Sequence, residues 1–108
     1  AGIGLVTLGG CDAAVREAAD LLEARGLPVD VMRIRGFPFD AEVREFIEGH
    51  DEVFVIEQNR DGQLRSLLTI ELSLPPGSMQ PILDYGGMPL TARVVVDAVI
   101  AAREEVPA

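Results

Sequence analysis

The highest density of polar side chains in the sequence falls between residues 57 and 65, and we call this stretch the 57–65 segment. It contains Glu57, Gln58, Asn59, Arg60, Asp61, Gln63 and Arg65. The segment follows the apolar run Val53 to Ile56 and leads into an apolar pattern of helical spacing that begins at Leu64. In α/β domains such a junction often carries chemistry or recognition. It is therefore the first candidate for a functional site.

Cys11 and His50 are the single cysteine and the single histidine of the chain. Cys11 stands at a predicted helix start, where a thiol can become nucleophilic. His50 precedes the third predicted strand and is expected at the opposite end of the sheet, too far away to act as a base. One Cys and one His cannot form a metal site or a disulfide. We expect a small, partly buried Cys11 and a surface His50 near a helix C-terminus.

Gly9 and Gly10 follow the first predicted strand, where backbone N–H groups of a helix start can bind an anion. Asp12 would place a carboxylate where a phosphate would sit, and the spacing of a dinucleotide-binding glycine motif is absent from the sequence. A tight turn is the favoured interpretation. A phosphate site remains the alternative.

Composition limits the classes of function. The 108 residues are 48% hydrophobic, enough for one domain with its own core. Nine Arg, no Lys and 18 acidic residues give a formal net charge of −9, which disfavours nucleic acid and anionic membranes as partners. A single Cys, and no visible signal peptide, predict a cytoplasmic protein. A first residue other than Met suggests a processed or excised piece of a longer protein.

The apolar pattern alternates strands and helices along the chain. Strands are predicted at Ile3 to Leu8, Val29 to Ile34, Val53 to Ile56 and Gln80 to Tyr85. Four helices follow them, with Asp12, Asp40, Asp61 and Thr91 as predicted N-terminal caps. Gly26 and Gly49 are expected to end the first two helices, and the last helix to run from Ala92 to about Arg103.

Repeated strand–helix units with nearly continuous apolar strands predict a three-layer α/β/α fold around a mainly parallel sheet. Right-handed crossovers give the strand order 2-1-3-4. Pro81 favours an edge position for the fourth strand, because proline cannot donate to a neighbouring strand. The order makes the loop after the first strand, at Gly9 to Cys11, face Glu57 to Asp61.

The 57–65 segment allows a structural interpretation as well as a recognition role. Asp61 could cap the third helix and pair with Arg65 four residues later. The remaining side chains, Glu57, Gln58, Asn59, Arg60 and Gln63, together with Arg65, are predicted to contact another domain or subunit.

Several parts of the sequence resemble one family. They are Val6-Thr7-Leu8-Gly9, Arg33-Ile34-Arg35 with Phe37-Pro38-Phe39, the run Phe54 to Arg65, and Tyr85 to Arg93. In this order they are similar to the C-terminal domain of the alpha subunit of 2-oxoacid:ferredoxin oxidoreductases, especially the 2-oxoglutarate type. That domain resembles the C-terminal domain of transketolase, which usually has one more edge strand before the first strand seen here.

The resemblance implies a parent enzyme that decarboxylates a 2-oxoacid, reduces ferredoxin and releases an acyl-coenzyme A. It implies thiamine diphosphate, magnesium and an iron–sulfur cluster in other domains or in the beta subunit, and none in this domain. The expected role is a non-catalytic scaffold that contacts other domains of the alpha subunit and the beta subunit. A stand-alone flavodoxin-like module that binds a nucleotide or flavin, and a thiol enzyme centred on Cys11, are the alternatives.

Overall fold

The computed structural model describes residues 2–8, 11–34, 41–58, 63–75, 77–83 and 90–105. Four strands and four helices alternate within them: β1 Ile3–Leu8, α1 Asp12–Ala24, β2 Val29–Ile34, α2 Ala41–Glu48, β3 Glu52–Glu57, α3 Gln63–Glu71, β4 Gln80–Leu83 and α4 Ala92–Glu105. The predicted bounds of β1 and β2 agree with the structure. The strand β3 is one residue longer than predicted at each end, and so includes Glu57.

The four strands form one parallel sheet in the order β2-β1-β3-β4, which confirms the predicted order. In the register, Ile3 pairs with Val29 on one side and with Glu52 on the other. The strand β4 lies at an edge, as Pro81 predicted. An edge strand tolerates proline because one of its two sides has no neighbouring strand to which an N–H would donate.

Alternate side chains of the strands divide the core between the two faces of the sheet. Helices α1 and α4 cover the face formed by Ile3, Leu5, Phe54, Ile56 and Ile82. Helices α2 and α3 cover the other face, where Val6, Ile34, Val53 and Val55 lie. This arrangement is the predicted three-layer α/β/α fold. It places Glu57, two residues after Val55, on the α3 side.

The end of α1 and the start of α4 are formed by residues that suit the backbone geometry there. Gly26 has a φ of +83°, and the N–H groups of Gly26 and Leu27 donate to the carbonyls of Glu23 and Leu22. This arrangement is a Schellman motif, so the predicted role of Gly26 is confirmed. At the start of α4, the Thr91 hydroxyl accepts a hydrogen bond from the N–H of Val94 at 3.3 Å, as a cap does.

The predicted cap of α1 is wrong by one residue. The N-cap is Cys11, which makes no side-chain capping bond, and Asp12 is already helical. The Asp12 carboxylate instead accepts a hydrogen bond from Arg16 Nε at 2.9 Å. Asp40 and Asp61, the predicted caps of α2 and α3, lie outside the described residues, as does the end of the predicted fourth strand at Tyr85.

The amino end of the sheet is closed by an aromatic and ionic cluster. The rings of Phe46 and His50 pack against each other with centroids 4.3 Å apart and planes tilted by 40°, beside Gly4. A Cβ at Gly4 would lie 2.8 Å from Phe46 Cε1, so a larger residue would force this pair of rings to shift. Both ring nitrogens of His50 face acceptors: Nδ1 the Phe46 carbonyl at 2.6 Å, and Nε2 the Asp30 carboxylate at 2.7 Å.

Candidate functional site

Glu57 connects the end of β3 to the start of α3. Its side chain is 4% exposed, and its Oε1 accepts a hydrogen bond from the N–H of Leu64 at 2.6 Å. Its Oε2 accepts from the N–H of Arg65 at 3.0 Å. Because the first N–H groups of a helix have no partner inside the helix, a carboxylate there satisfies two of them. Glu57 therefore does the work of an N-terminal cap for α3.

Strand alternation explains why Glu57 can reach this helix. Val53 and Val55 point to the side of α2 and α3, and a side chain two residues further along a strand points the same way. Glu57 is the last residue of β3, and Leu64 follows seven residues later. A cap this far away in sequence fixes α3 to the sheet as well as closing its first turn.

Cys11, before α1, and Gln58, after β3, meet at the carboxyl end of the sheet, while the rest of the two predicted loops, at Gly9, Gly10 and 59–61, lies outside the described residues. The Cys11 thiol lies 3.8 Å from Gln58 Oε1, within the reach of a weak S–H hydrogen bond. Cys11 is buried and Gln58 is exposed. The contact joins the N-cap residue of α1 to the residue that follows β3.

Two buried oxygen atoms of β1 and α1 have no hydrogen-bond partner within the part of the chain that the structure describes. They are the hydroxyl oxygen of Thr7, at the end of β1, and Oδ1 of Asp12. A buried polar atom without a partner is costly, so each is a place that a further group could satisfy. The Asp12 carboxylate also puts negative charge at the start of α1, which opposes the binding of a phosphate there.

Arg65 is partly exposed and stands at the entrance of α3. Its Nε is buried and has no hydrogen-bond partner among the described residues, although its backbone N–H donates to Glu57. A nearby depression of about 270 Å³ is lined by Arg65, Ser66, Thr69, Ile70 and Gly77. The guanidinium thus lies beside a concave surface formed by α3 and the loop that follows it.

The structure describes only some of the remaining residues of the predicted contact set. Gln58 and Gln63 are described and exposed. Asn59 and Arg60, together with Asp61, the predicted helix cap, lie outside the described residues. The pairing of Asp61 with Arg65 therefore stays a prediction, and so does contact of the whole set with another domain or subunit.

The structure separates the two residues that a thiol enzyme would need. Cys11 follows the carboxyl end of β1, whereas His50 precedes β3 and contacts Asp30 near the start of β2. His50 does lie beside the C-terminus of α2, but its side chain is 10% exposed, so the predicted surface position is wrong. It is largely covered, and its two ring nitrogen atoms face acceptors on α2 and β2.

The hydrogen bond from His50 lowers the pKa of Asp30 below the usual value of an aspartate, and its effect exceeds the opposing effect of burial. This cluster belongs to the amino end of the sheet. Ligand crevices in parallel α/β sheets form at the carboxyl end. We therefore assign the Asp30–His50 pair to stability.

Two exposed residues of α3 were not predicted from the sequence. Leu67 is 39% exposed, and Ile70 is 72% exposed. Leu64, Leu68 and Leu72 already fill the buried face of this helix. Ile70 does not share the helical spacing of these three leucines, so its exposure could have been predicted from the sequence.

Among the described residues, no group of three or more His, Cys, Asp or Glu side chains is arranged to hold a metal ion. Within the same part of the chain, no helix is long and apolar enough to cross a lipid bilayer.

Comparisons with known proteins identify relatives of this domain. The chain is 34% identical over 101 residues to "2-oxoacid:ferredoxin oxidoreductase 2, subunit alpha" of Aeropyrum pernix, a match that covers 92% of the chain. Its structure resembles a 2-oxoglutarate:ferredoxin oxidoreductase from Magnetococcus marinus, with a TM-score of 0.81 and 30% identity over 94% of the chain. That enzyme was solved with 2-oxoglutarate, coenzyme A and succinyl-CoA bound.

A third similarity concerns the fold alone. The alpha chain of a probable 2-oxoacid ferredoxin oxidoreductase from Thermoplasma acidophilum matches with a TM-score of 0.65 and 19% identity, over 97% of this chain and 90% of that one. By contrast, the chain spans 15% of the length of the Aeropyrum relative and 18% of the Magnetococcus chain. No family model matches the chain.

Proposed function

We propose that this chain, which belongs to the family of 2-oxoacid:ferredoxin oxidoreductase alpha subunits, is a non-catalytic scaffold domain of a longer subunit. It contacts other domains of the alpha subunit, and the beta subunit, through the 57–65 segment. The parent enzyme oxidises and decarboxylates a 2-oxoacid in the cytoplasm, forms an acyl-coenzyme A and reduces ferredoxin. The 30% identity to an enzyme that acts on 2-oxoglutarate supports that substrate.

The observation that carries this proposal is the position of Glu57. A carboxylate at the carboxyl end of a central strand is where a parallel α/β sheet commonly places a catalytic or binding group. Here both of its oxygen atoms accept hydrogen bonds from the backbone of α3, and 4% of the residue is exposed. The carboxylate therefore holds a helix in place, and Gln58, Gln63 and Arg65 are presented around it.

The cofactors of the parent enzyme are assigned to other parts of it. Thiamine diphosphate with magnesium supplies the carbanion chemistry of decarboxylation, and an iron–sulfur cluster carries the electrons. The lone Cys11 cannot ligate such a cluster, which needs several cysteine thiolates. What this domain contributes is a fixed surface against which the other domains are arranged.

Replacing the two arginines of the segment tests the contact. In the full-length subunit, Arg60→Ala with Arg65→Ala is expected to weaken domain or subunit association, measured by analytical ultracentrifugation, and to lower ferredoxin reduction. The same pair in this chain alone should leave its circular dichroism unchanged. Arg16→Ala with Arg93→Ala is the matched control, because both arginines form exposed i,i+4 pairs on other helices. Unchanged association and activity in the 60/65 variant would contradict the proposal.

The coding sequence upstream of Ala1 gives an independent test. A thiamine-binding type of domain encoded there supports the scaffold role. An initiator Met directly before Ala1 would overturn it and favour a stand-alone module.

The unpartnered hydroxyl of Thr7 favours a second candidate function, a flavodoxin-like module that binds a nucleotide or flavin at the crevice. A ligand present at about 100 times its dissociation constant should stabilise the fold by about 2.7 kcal/mol. A thermal-shift screen with nucleotides, flavins and coenzyme A distinguishes the two functions. The scaffold role predicts no shift with any of them.

A further inference from the structure

The outer surface of α3 differs from those of the other helices in having almost no charge. Its exposed residues are Gln63, Ser66, Leu67 and Ile70, with Glu71 at its last position. In contrast, α1 exposes Arg16, Glu17, Asp20 and Glu23, and α2 exposes Glu42, Glu45 and Glu48. Ile70 is 72% exposed, and Glu71 is the one charged residue that the described part of α3 fully exposes, in a chain with a formal net charge of −9.

This surface continues into the depression beside Arg65. Ser66 and Ile70 lie one helical turn apart, as do Arg65 and Thr69, and all four line the depression together with Gly77. We call this surface the α3 face, formed by Gln63, Arg65, Ser66, Leu67, Thr69, Ile70 and Gly77. It begins at the helix start that Glu57 holds, so it is continuous with the 57–65 segment.

Arg65 adds a positive charge to the α3 face. Four other arginines, Arg16, Arg44, Arg93 and Arg103, each have a carboxylate partner. No carboxylate among the described residues pairs with Arg65, and its Nε is buried without an acceptor. Arg25 and Arg33 also have no such partner there, but both are exposed to water. A half-buried guanidinium gains more from a carboxylate than an exposed one does.

We propose that the α3 face is covered by a neighbouring domain of the same polypeptide, which packs an apolar side chain on Ile70 and places a carboxylate against the Arg65 guanidinium. This inference rests on the proposed scaffold function and names the surface and the partner through which that function operates. The occupant is recognised by apolar contact combined with a negative charge.

The small size of the α3 face favours an attached domain over a free partner. Stable association of separate proteins buries roughly 800 Å² on each side, with 20–30 residues, whereas the α3 face has a single helix and one loop residue. A domain on the same polypeptide needs far less contact, because covalent linkage gives an effective concentration in the millimolar range. The Aeropyrum and Magnetococcus matches, of which this chain spans 15% and 18%, contain ample additional polypeptide.

Thiol labelling measures directly whether Ile70 is covered. Ile70→Cys and the matched control Leu21→Cys, at a residue that is 44% exposed on α1, are prepared in this chain and in the full-length subunit. Labelling by a maleimide is followed by peptide mass spectrometry, so that Cys11 is counted separately. We expect Ile70→Cys to react at least about tenfold more slowly in the subunit than in this chain, and Leu21→Cys to react at similar rates in both.

The outcomes separate this inference from the function on which it rests. Equal labelling of Ile70→Cys in the two proteins overturns the inference, and the proposed function still stands if Arg60→Ala with Arg65→Ala weakens association. Protection of Leu21→Cys alone would place the contact on α1 and would also overturn the inference. If neither labelling nor association changes, both proposals are wrong.

A charge variant tests the predicted chemistry of the occupant. Ile70→Glu in the full-length subunit should release the domain and increase proteolysis at the domain boundary, because it places a carboxylate beside the one that Arg65 receives. Ile70→Lys should do so less, since its charge is opposite to that of the occupant. Equal sensitivity of the two variants would contradict a carboxylate in the occupant.

Discussion

Helices α1 and α3 follow the two central strands, yet they are attached to the sheet in different ways. The N-cap of α1, Cys11, makes no side-chain capping bond, and the outer surface of this helix is charged. The start of α3 is held by the buried carboxylate of Glu57, and its outer surface is nearly uncharged. Helix α1 exposes Leu21 among charged side chains, whereas α3 is held at its start by Glu57 and exposes Leu67 and Ile70 with little charge around them.

The difference between α1 and α3 shows which of the two helices is fixed to the sheet by a buried polar group. A buried carboxylate is costly unless it is hydrogen-bonded, so Glu57 is useful only if the position of α3 matters. On α1, the equivalent carboxylate of Asp12 pairs locally with Arg16 and fixes nothing beyond its own turn. We infer that α3 is the helix whose placement the rest of the protein requires.

Removing the carboxylate of Glu57 should have the largest effect on stability. Glu57→Ala leaves the N–H groups of Leu64 and Arg65 without their acceptor and is expected to lower the free energy of unfolding by about 2–3 kcal/mol. Asp12→Ala, the matched change on α1, removes a local ion pair and should cost less than about 1 kcal/mol. Urea unfolding of this chain measures both. Equal losses of stability in the two variants would show that Glu57 stabilises its helix no more than Asp12 does.

The C-terminus of α1 should give the next largest effect. Gly26 has a φ of +83° and no atom within 4 Å of an added Cβ, so Gly26→Ala is expected to cost about 1 kcal/mol through the backbone alone. Gly77→Ala is the matched control, with a φ of +84° and equal space, but outside any helix. A much larger loss for Gly26 than for Gly77, in thermal unfolding, would point to something besides backbone strain.

The C-terminus of α3 has the same motif with a less suitable residue. Ser73 has a φ of +53°, and the N–H groups of Ser73 and Leu74 donate to the carbonyls of Ile70 and Thr69. Because glycine adopts this conformation at lower cost, Ser73→Gly should raise the free energy of unfolding by about 0.5 kcal/mol. A loss of stability in the same unfolding experiment would mean that the Ser73 side chain contributes more than its backbone costs.

The smallest effect concerns Asp30, on the strand that follows α1, and depends on pH. The hydrogen bond from His50 lowers the folded-state pKa of Asp30 below the usual 3.8. Its contribution to stability is therefore complete above pH 3.8 and is lost as the pH falls through the lower folded-state value. Asp30→Asn should flatten this acid limb of the stability curve, whereas Asp20→Asn, at an exposed position on α1, should not. Identical curves for the two variants would contradict the assignment.

Much of the fold could be predicted from the sequence because its signals are local and repeated. The apolar runs and glycines of β1 and β2 set both strands and the end of α1, and Pro81 indicated the edge. The cap of α1 was misplaced because Cys11 and Asp12 are adjacent, and a single-residue shift decides which of them is helical.

The candidate site could be predicted only in part, for a physical reason. The position of the 57–65 segment follows from the strand order, but the orientation of Glu57 depends on how α3 returns to the sheet. Its partners are seven and eight residues away, beyond any helical or strand period. The exposure of Leu67 depends likewise on the rotation of α3, which the packing of Leu64, Leu68 and Leu72 determines.

Hydrogen exchange of the backbone amides provides the most direct test of the central claim, that α3 presents the surface by which this domain joins its subunit. The amides of α1 and α3 are compared between this chain and the full-length subunit by mass spectrometry. We predict that exchange in α3 slows by about tenfold or more in the subunit, while exchange in α1 stays the same. Equal exchange of α3 in the two proteins, or slowing confined to α1, would contradict the account.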